Sequence, residues 1–265
     1  MPNYAVLPAH WKPVPVALVR LGSKQDGGYV VSKDAVDASA GLISFGIARD
    51  WSFELDLASL KPADFTIDCF DPTTDLPRAA GISRSRRIRQ VLSGKRHWRH
   101  VHIGGRSGFN SFFNGSARTL HRNWICRPGQ SGVASLTFDE VMEKLSPRKP
   151  VFLKVDIEGS EWSVLDGIVR HSNMIAGMAI EFHNLQSKFS ELGPDHRLFQ
   201  AFSVCNVHAN NCVPEFTSLP EVIEFSFFNK KLQLADGSDA VDRANLNAPN
   251  TRANREITLG YAGTK

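Results

Sequence analysis

Acidic, imidazole and amide side chains collect at a few places along this chain, each at the end of an apolar run. Residues 151–161 read VFLKVDIEGSE, so a mostly apolar stretch delivers Asp156 and Glu158. Ser160 and Glu161 behind them are accounted for as caps of a following helix. Glu181-Phe182-His183 ends a second apolar run; in extended chain, residues two apart lie on one side, which pairs a carboxylate with an imidazole. His208 and the amide pair Asn210-Asn211 follow a third. Groups of these types bind polar substrates and exchange protons with them. Two other signals concern a cofactor. Residues 44–52 (SFGIARDWS) form a turn into a helix, where Gly46 lets a ligand approach the backbone and the helix start attracts an anion. Asp71, 25 residues after Gly46, is positioned to accept two hydrogen bonds from vicinal ribose hydroxyls. Neither GxGxxG nor GxxxxGK[ST] occurs, which disfavours NAD and a P-loop nucleotide and points to a nucleoside cofactor without a pyrophosphate.

These residues need elements that bring them together. Strand-like apolar runs fall at 42–45, 65–70, 98–103, 151–155, 175–180, 202–207 and 222–228, with a last piece at 257–261. Continuous apolar strands separated by helix-compatible segments predict an α/β fold whose parallel sheet is covered on both faces. Helices are expected over 52–60, over 137–145 with Thr137 as cap, and over 160–170. In such sheets ligands bind beyond the carboxyl ends of the strands, where the strand order reverses. Two stretches resist the pattern. Residues 104–132 are Gly, Ser and Asn-rich without clear periodicity and read as a long loop of the kind that forms lids or binding sites. Residues 235–255 are polar and read as a surface excursion.

The chain has 265 residues and is 42% hydrophobic and 22% charged, which excludes a miniprotein, a disordered chain and a collagen-like one. No apolar run approaches the roughly 18 residues of a membrane helix. Pro2, Pro8, Pro13 and Pro15 interrupt any secretory apolar segment, so a cytoplasmic protein is expected. Cys69, Cys126, Cys205 and Cys212 show no CxxC spacing and read as buried thiols. The net charge is only +4, but residues 76–138 contain no acid and 12 basic side chains, from Arg78 to Arg127. That asymmetry fits an anionic partner or surface as well as it fits a solvated basic face.

The motifs in this order resemble the FkbM-like, methyltransferase-21 branch of the class I S-adenosylmethionine-dependent methyltransferases. They are LGSKQDGGYVV (21–31), LISFGIARDWSFE (42–54), IDCFDPT (67–73), FLKVDIEGSEWSVLDG (152–167), IEFH (180–183) and VHANN (207–211). The resemblance implies a Rossmann-like, seven-stranded, mostly parallel sheet with helices on both faces. It implies one methyltransferase domain: a core at 41–230, an N-terminal extension before it and a polar excursion with a final strand after it. S-adenosyl-L-methionine would be held by Ser44, Gly46 and Asp50 at its methionine end, by Asp71 at the ribose, by Gly104 near the adenine, and by Asp156. Methyl transfer to an alcohol needs a base, for which Asp156 and His183 are the candidates, with Glu181 and His208 beside them. An alternative uses Asp156, Glu158, Glu181 and His183 to hold Mg²⁺ or Mn²⁺. Asp26-Gly27-Gly28-Tyr29 is either a hairpin turn alone or part of the site. The implied acceptor is a hydroxyl of a sugar, glycan or related small molecule, with an anionic one suiting the basic segment. A non-catalytic glycan- or protein-binding scaffold and an RNA methyltransferase are the alternatives. Nucleic acid is disfavoured by the lack of an RNA-binding module.

Overall fold

The computed structural model describes residues 3–48, 50–74, 106–115, 117–126, 133–147, 149–232 and 246–263. β1 (Tyr4–Leu7) leads to the hairpin β2 (Leu18–Gly22) and β3 (Gly28–Ser32) and then α1 (Lys33–Ala38). The middle of the chain carries β4 (Gly41–Phe45), α2 (Ser52–Ser59), β5 (Thr66–Phe70), α3 (Arg106–Phe113), β6 (Arg118–His121), β7 (Trp124–Ile125), β8 (Ser135–Leu136) and α4 (Phe138–Leu145). After these come β9 (Val151–Val155), α5 (Leu165–Arg170), β10 (Ile175–Phe182), α6 (Leu185–Lys188), α7 (Arg197–Ala201), β11 (Phe202–Ala209), β12 (Ile223–Asn229) and β13 (Thr258–Tyr261).

Seven strands form one sheet in the order β11-β12-β10-β9-β4-β5-β6. All pairings are parallel except those of β12, which runs against both β10 and β11. This is the mostly parallel α/β class that the sequence predicts. The chain starts at β4, works outward to β6, then returns to β9 and works the other way, so the order reverses between β4 and β9. Ligands in open sheets bind beyond that reversal.

Each central strand alternates between two cores. Ile43, Phe45, Leu153, Val155, Met178, Ile180, Phe225 and Phe227 face one cluster, completed by Phe138 and Val141 of α4 and Leu165 and Ile168 around α5. Leu42, Phe152, Ala179 and Phe228 face the other, completed by the hairpin, by Val36 of α1, by Phe53 and Leu57 of α2 and by Phe109 and Phe112 of α3. On this hairpin side the strands also carry buried polar residues: Ser44, Lys154, Glu181, Glu224 and His208. Ladder partners arrange them on this face in two neighbouring rows, Ser44 beside Lys154 in one, and Glu181 beside Glu224 beside His208 in the other.

The structure corrects three expectations. The sheet's third strand in chain order is β6, inside the stretch read as a loop, whereas 98–103 lies outside the described residues. Among the described residues β6 is at the edge of the sheet, half-exposed and paired with β5 alone, so it needs no apolar run to mark it. The helix expected from Ser160 is a 3-10 turn (Glu161–Val164) followed by α5, and Ser160 makes no side-chain cap. Thr137, by contrast, closes a reciprocal capping box with Glu140. Finally, the described part of the polar excursion is not a free surface loop. Asn250 is 4% exposed, Asn211 holds the backbones of Thr251 and Asn254, and β13 beyond pairs in parallel with β1.

Cys69 and Cys205 are buried, Cys126 is half-buried and Cys212 is exposed, all as free thiols. Among the described residues no helix is long and apolar enough to cross a membrane. Of the basic segment, Arg78 to Arg99 and Arg127 lie outside the described residues; Arg118 packs its guanidinium 4.5 Å over the Phe112 ring.

Candidate active site

At the carboxyl ends of β4, β5 and β9 opens a cavity of about 810 Å³. Its nearest wall is the turn after β4. Gly46 has φ +78, and a Cβ there would lie 1.7 Å from the Asp156 carbonyl oxygen, so only glycine fits between the turn and the start of the β9 loop. The turn is clamped from beneath by Asp71, whose Oδ2 accepts from the backbone N–H of Ile47 (3.0 Å) and Ala48 (2.6 Å). Its Oδ1 accepts from Thr73 N–H, Thr73 Oγ1 and Thr74 N–H. A carboxylate offers about four acceptor positions, so Asp71 is saturated by its own chain. The expectation that both oxygens stand ready for a ribose is therefore corrected: a ribose there must displace some of these donors, although Asp71 does line the cavity.

Asp50 also lines the cavity and accepts from Ser52 N–H at the start of α2. Ser44 does not line it. Its side chain is fully buried and donates to Glu54 Oε1 (2.6 Å) on α2, a structural contact in place of the expected cofactor contact. Gly104 lies outside the described residues; Asn123, Trp124 and Ile125, just after β6, border the cavity where the third strand ends.

Under the turn runs the row that holds Lys154. Lys154 Nζ donates to Gly46 O (2.6 Å) and lies 3.9 Å from Asp156 Oδ2. Burial alone would lower its pKa, but Glu54 and Asp156 prevail and raise it, so it is an ammonium. Tyr29 of β3 donates its hydroxyl to Asp156 Oδ2 (3.1 Å). The Asp156 side chain is 27% exposed; burial pushes its pKa up, against the pull of Lys154, His183 and the Tyr29 bond. The hairpin turn Asp26-Gly27 lines the cavity too, so this motif is both a turn and part of the site.

The loop after Asp156 folds around its own last acid. Glu161 is fully buried and accepts from Ile157 N–H (2.9 Å) and Gly159 N–H (2.9 and 3.1 Å). Its Oε1 also lies 3.0 Å from His183 Nδ1, and the neighbouring Trp162 donates Nε1–H to the His183 carbonyl. His183 Nε2 then faces Glu181 Oε1 (3.4 Å) and Glu158 Oε2 (3.5 Å). Burial works to lower the His183 pKa, but the Glu161 bond and the charges of Glu161, Asp156 and Glu158 raise it. Glu181, buried beside Asp156, Glu224 and Asp26, is held well above the usual carboxylate range, first by burial and then by those charges. Donor atoms of Asp156, Glu158 and His183 all lie within 4.8 Å of one another.

His208 is not brought to this group. Its two ring nitrogens are taken by Glu224 Oε2 (3.2 Å) and Glu256 Oε1 (2.7 Å), so it pins the C-terminal segment to the sheet and has no free lone pair for a base. Sequence reasoning missed Lys154, hidden in an apolar run, Glu161, taken for a helix cap, and Asn250 and Thr251 in the cavity's wall.

The cavity's size, its glycine cradle and its carboxylates fit a cationic nucleoside sulfonium. Gly46→Ala should lower Tm and abolish binding of S-adenosylhomocysteine in calorimetry; undiminished affinity would remove the turn from the cofactor site. For His208, burial opposes the charge, but Glu224 and Glu256 overcome it and raise the pKa to about 9. A folded value above the ordinary 6.5 stabilises the fold fully below about pH 6.5 and loses that contribution as pH rises through about 9. Tm should therefore fall across this window, and less steeply in His208→Asn; parallel curves would sink the assignment.

Among curated proteins no sequence matches the chain. Similar solved structures include an rRNA methylase from Streptococcus thermophilus (9% identity, 76% of this chain and 93% of that one, TM-score 0.38). Others are a precorrin-6y C5,15-methyltransferase from Geobacter metallireducens (10%, 72% and 80%, 0.35) and the O-methyltransferase TomG from Streptomyces achromogenes (10%, 74% and 75%, 0.32). The assignment rests on the family match instead. The FkbM methyltransferase domain matches residues 97–231, just over half of the sequence and the stretch that carries β6 to β12. The chain belongs to the FkbM methyltransferase family and is an S-adenosylmethionine-dependent methyltransferase.

Proposed function

We propose that this enzyme methylates a hydroxyl oxygen of a sugar or related polyhydroxylated small molecule, with His183 as the base. The observation that carries the reading is the Glu161–His183 pair, which does not itself line the cavity but sits directly behind the cavity-lining Asp156 and Glu158. Glu161 already accepts backbone N–H bonds, and an ionised carboxylate has no proton to give, so His183 Nδ1 must be the donor toward it. That fixes the tautomer and leaves Nε2 with its lone pair on the side of Glu158 and Glu181, with Asp156 nearby.

S-adenosylmethionine, when bound, supplies an electrophilic methyl on sulfur, whose C–S bond breaks as the acceptor's C–O bond forms. Residues 46–48, Asp50 and residues 123–125 would hold it, with Asp71 clamping the turn and lining the cavity beside it. His183 Nε2 takes the hydroxyl proton; Glu161 stabilises the imidazolium that results; Asp156, fixed by Tyr29 and Lys154, orients the hydroxyl. A positioned base of this kind contributes on the order of 10²–10⁴-fold. His183→Asn should lower kcat by that range while leaving S-adenosylhomocysteine affinity intact, and a loss under about tenfold would exclude the role. Glu161→Gln tests positioning. Activity should rise with pH as His183 loses its proton, and removing the Glu161 charge should shift that rise to lower pH; an unmoved profile with lower Tm would mean Glu161 is only structural.

A second reading is favoured by the convergence of Asp156, Glu158 and His183: these three could hold Mg²⁺ or Mn²⁺, which would acidify the hydroxyl directly. The two readings exclude each other, since each needs Nε2. Under the base reading, activity survives EDTA undiminished; loss with EDTA and recovery with Mg²⁺ or Mn²⁺ would install the cation instead.

A further inference from the structure

Another wall of the cavity is built where the β2–β3 turn, whose Gly27 abuts the Asp50 side chain, meets the C-terminal segment. Asp26 N–H donates to Asn250 O (3.2 Å), and Asn250 Nδ2 donates to Asp26 Oδ1 (3.3 Å) and to Glu224 Oε1 (2.6 Å). Asn250 and Asp26 both line the cavity. With both amide hydrogens committed to carboxylates, the Asn250 amide cannot be turned over, because its oxygen would then face two acceptors. Asn250 Oδ1 is thus left buried with no donor among the described residues, in a side chain 4% exposed. A buried acceptor without a donor is costly and calls for a partner.

Charge on this wall points the same way. Asp26, Asp50, Asp71, Asp156 and Glu158 line the cavity against one described cation, Lys154. The Lys154 ammonium is occupied by Gly46 O and Asp156, and Asp71 is saturated by its own chain. Asp26 has an amide partner but, among the described residues, no cationic one. Asp26 is exposed toward the cavity, and desolvation by the groups crowded around it, followed by the charges of Asp156, Glu224 and Asp50, raises its pKa despite the Asn250 bond.

We propose that the acceptor carries a protonated amino group near the hydroxyl that is methylated, and that this ammonium docks between the Asp26 carboxylate and Asn250 Oδ1. An ammonium brings three donors and a positive charge, which matches one ionised and one neutral acceptor. The acceptor class is then an amino sugar or similar amino alcohol. The described cavity disfavours the anionic acceptor that the basic segment suggested, because a phosphate or carboxylate would be set against Asp26, Asp156 and Glu158. This inference rests on the methyltransferase reading of the site.

The test uses the full chain, labelled S-adenosylmethionine and matched acceptors: glucosamine, glucose and glucuronic acid, together with a panel of other amino sugars and their deamino counterparts. Calorimetry with S-adenosylhomocysteine comes first; failure to bind it would sink the methyltransferase site itself. With that binding intact, amino compounds should exceed their deamino counterparts in kcat/KM by at least about tenfold, the scale of a charge-assisted hydrogen bond. In Asp26→Asn that preference should collapse while S-adenosylhomocysteine affinity stays. Asn250→Ser is the second variant, keeping the segment but shortening the reach, and should weaken amine binding to the cofactor-product complex. The proposal is overturned by equal or better use of neutral or acidic acceptors, by no binding of any panel amine at millimolar concentration, by a preference that survives Asp26→Asn, or by an Asp26→Asn variant that loses the cofactor product instead.

Discussion

Lys154 stands in the central strand of the sheet with its ammonium shared between the Gly46 carbonyl and Asp156, and with Glu54 close behind. Three parts of the site meet at that nitrogen: the Gly46 turn that lines the cavity, the strand end that presents Asp156, and the helix that follows the turn. Breaking a buried ion pair by removing one partner commonly costs about 3–5 kcal/mol, since the other charge is left uncompensated. Here the loss would strand Glu54 and Asp156 together. The glycine turn can therefore be so tightly packed on Asp156 only because a cation lies beneath both.

A second organising device is the loop from Asp156 to Glu161. Glu158 and Gly159 both adopt positive φ, +54 and +100, a backbone strain that a side chain at Glu158 ordinarily avoids. The Glu161 carboxylate compensates by collecting the N–H groups that this strained turn would otherwise leave unpaired, and it reaches onward to His183. One buried acid thus ties loop geometry to imidazole orientation.

Much of the fold was legible in the sequence because central strands buried on both faces must be apolar throughout, as 42–45, 151–155 and 175–180 are. The exceptions had physical causes. β6, at the edge of the sheet among the described residues, pairs there with β5 alone and is half-exposed. Lys154 looked like an isolated charge in an apolar run, and nothing in linear order reveals that Ser44 beside it and Glu181 two strand positions further on share its face. Asp156, Glu158, Glu181 and His183 were readable as a group because strand ends in such sheets converge. Glu161 was not, since an acid at the start of a helix has a sufficient local explanation. Asp71 and His208 stood at the right strand ends, but the number of donors around each is a tertiary property, and it turned the first into a clamp and the second into a rivet. The wall containing Asn250 escaped notice because that residue lies among polar residues with no periodicity.

The bond between Asp26 and Asn250 joins residues 224 positions apart in the chain. Contacts of such high order form late, after the loop-closure entropy of the intervening chain has been met by the sheet itself. During synthesis the Gly46 turn and its Asp71 clamp emerge early, whereas the wall containing Asn250 waits for residue 250 to leave the ribosome. A nascent or partly folded chain would thus have the turn proposed to hold the cofactor before the wall proposed to select an acceptor, so that on this reading nucleoside binding and acceptor recognition would be acquired at separate moments of folding.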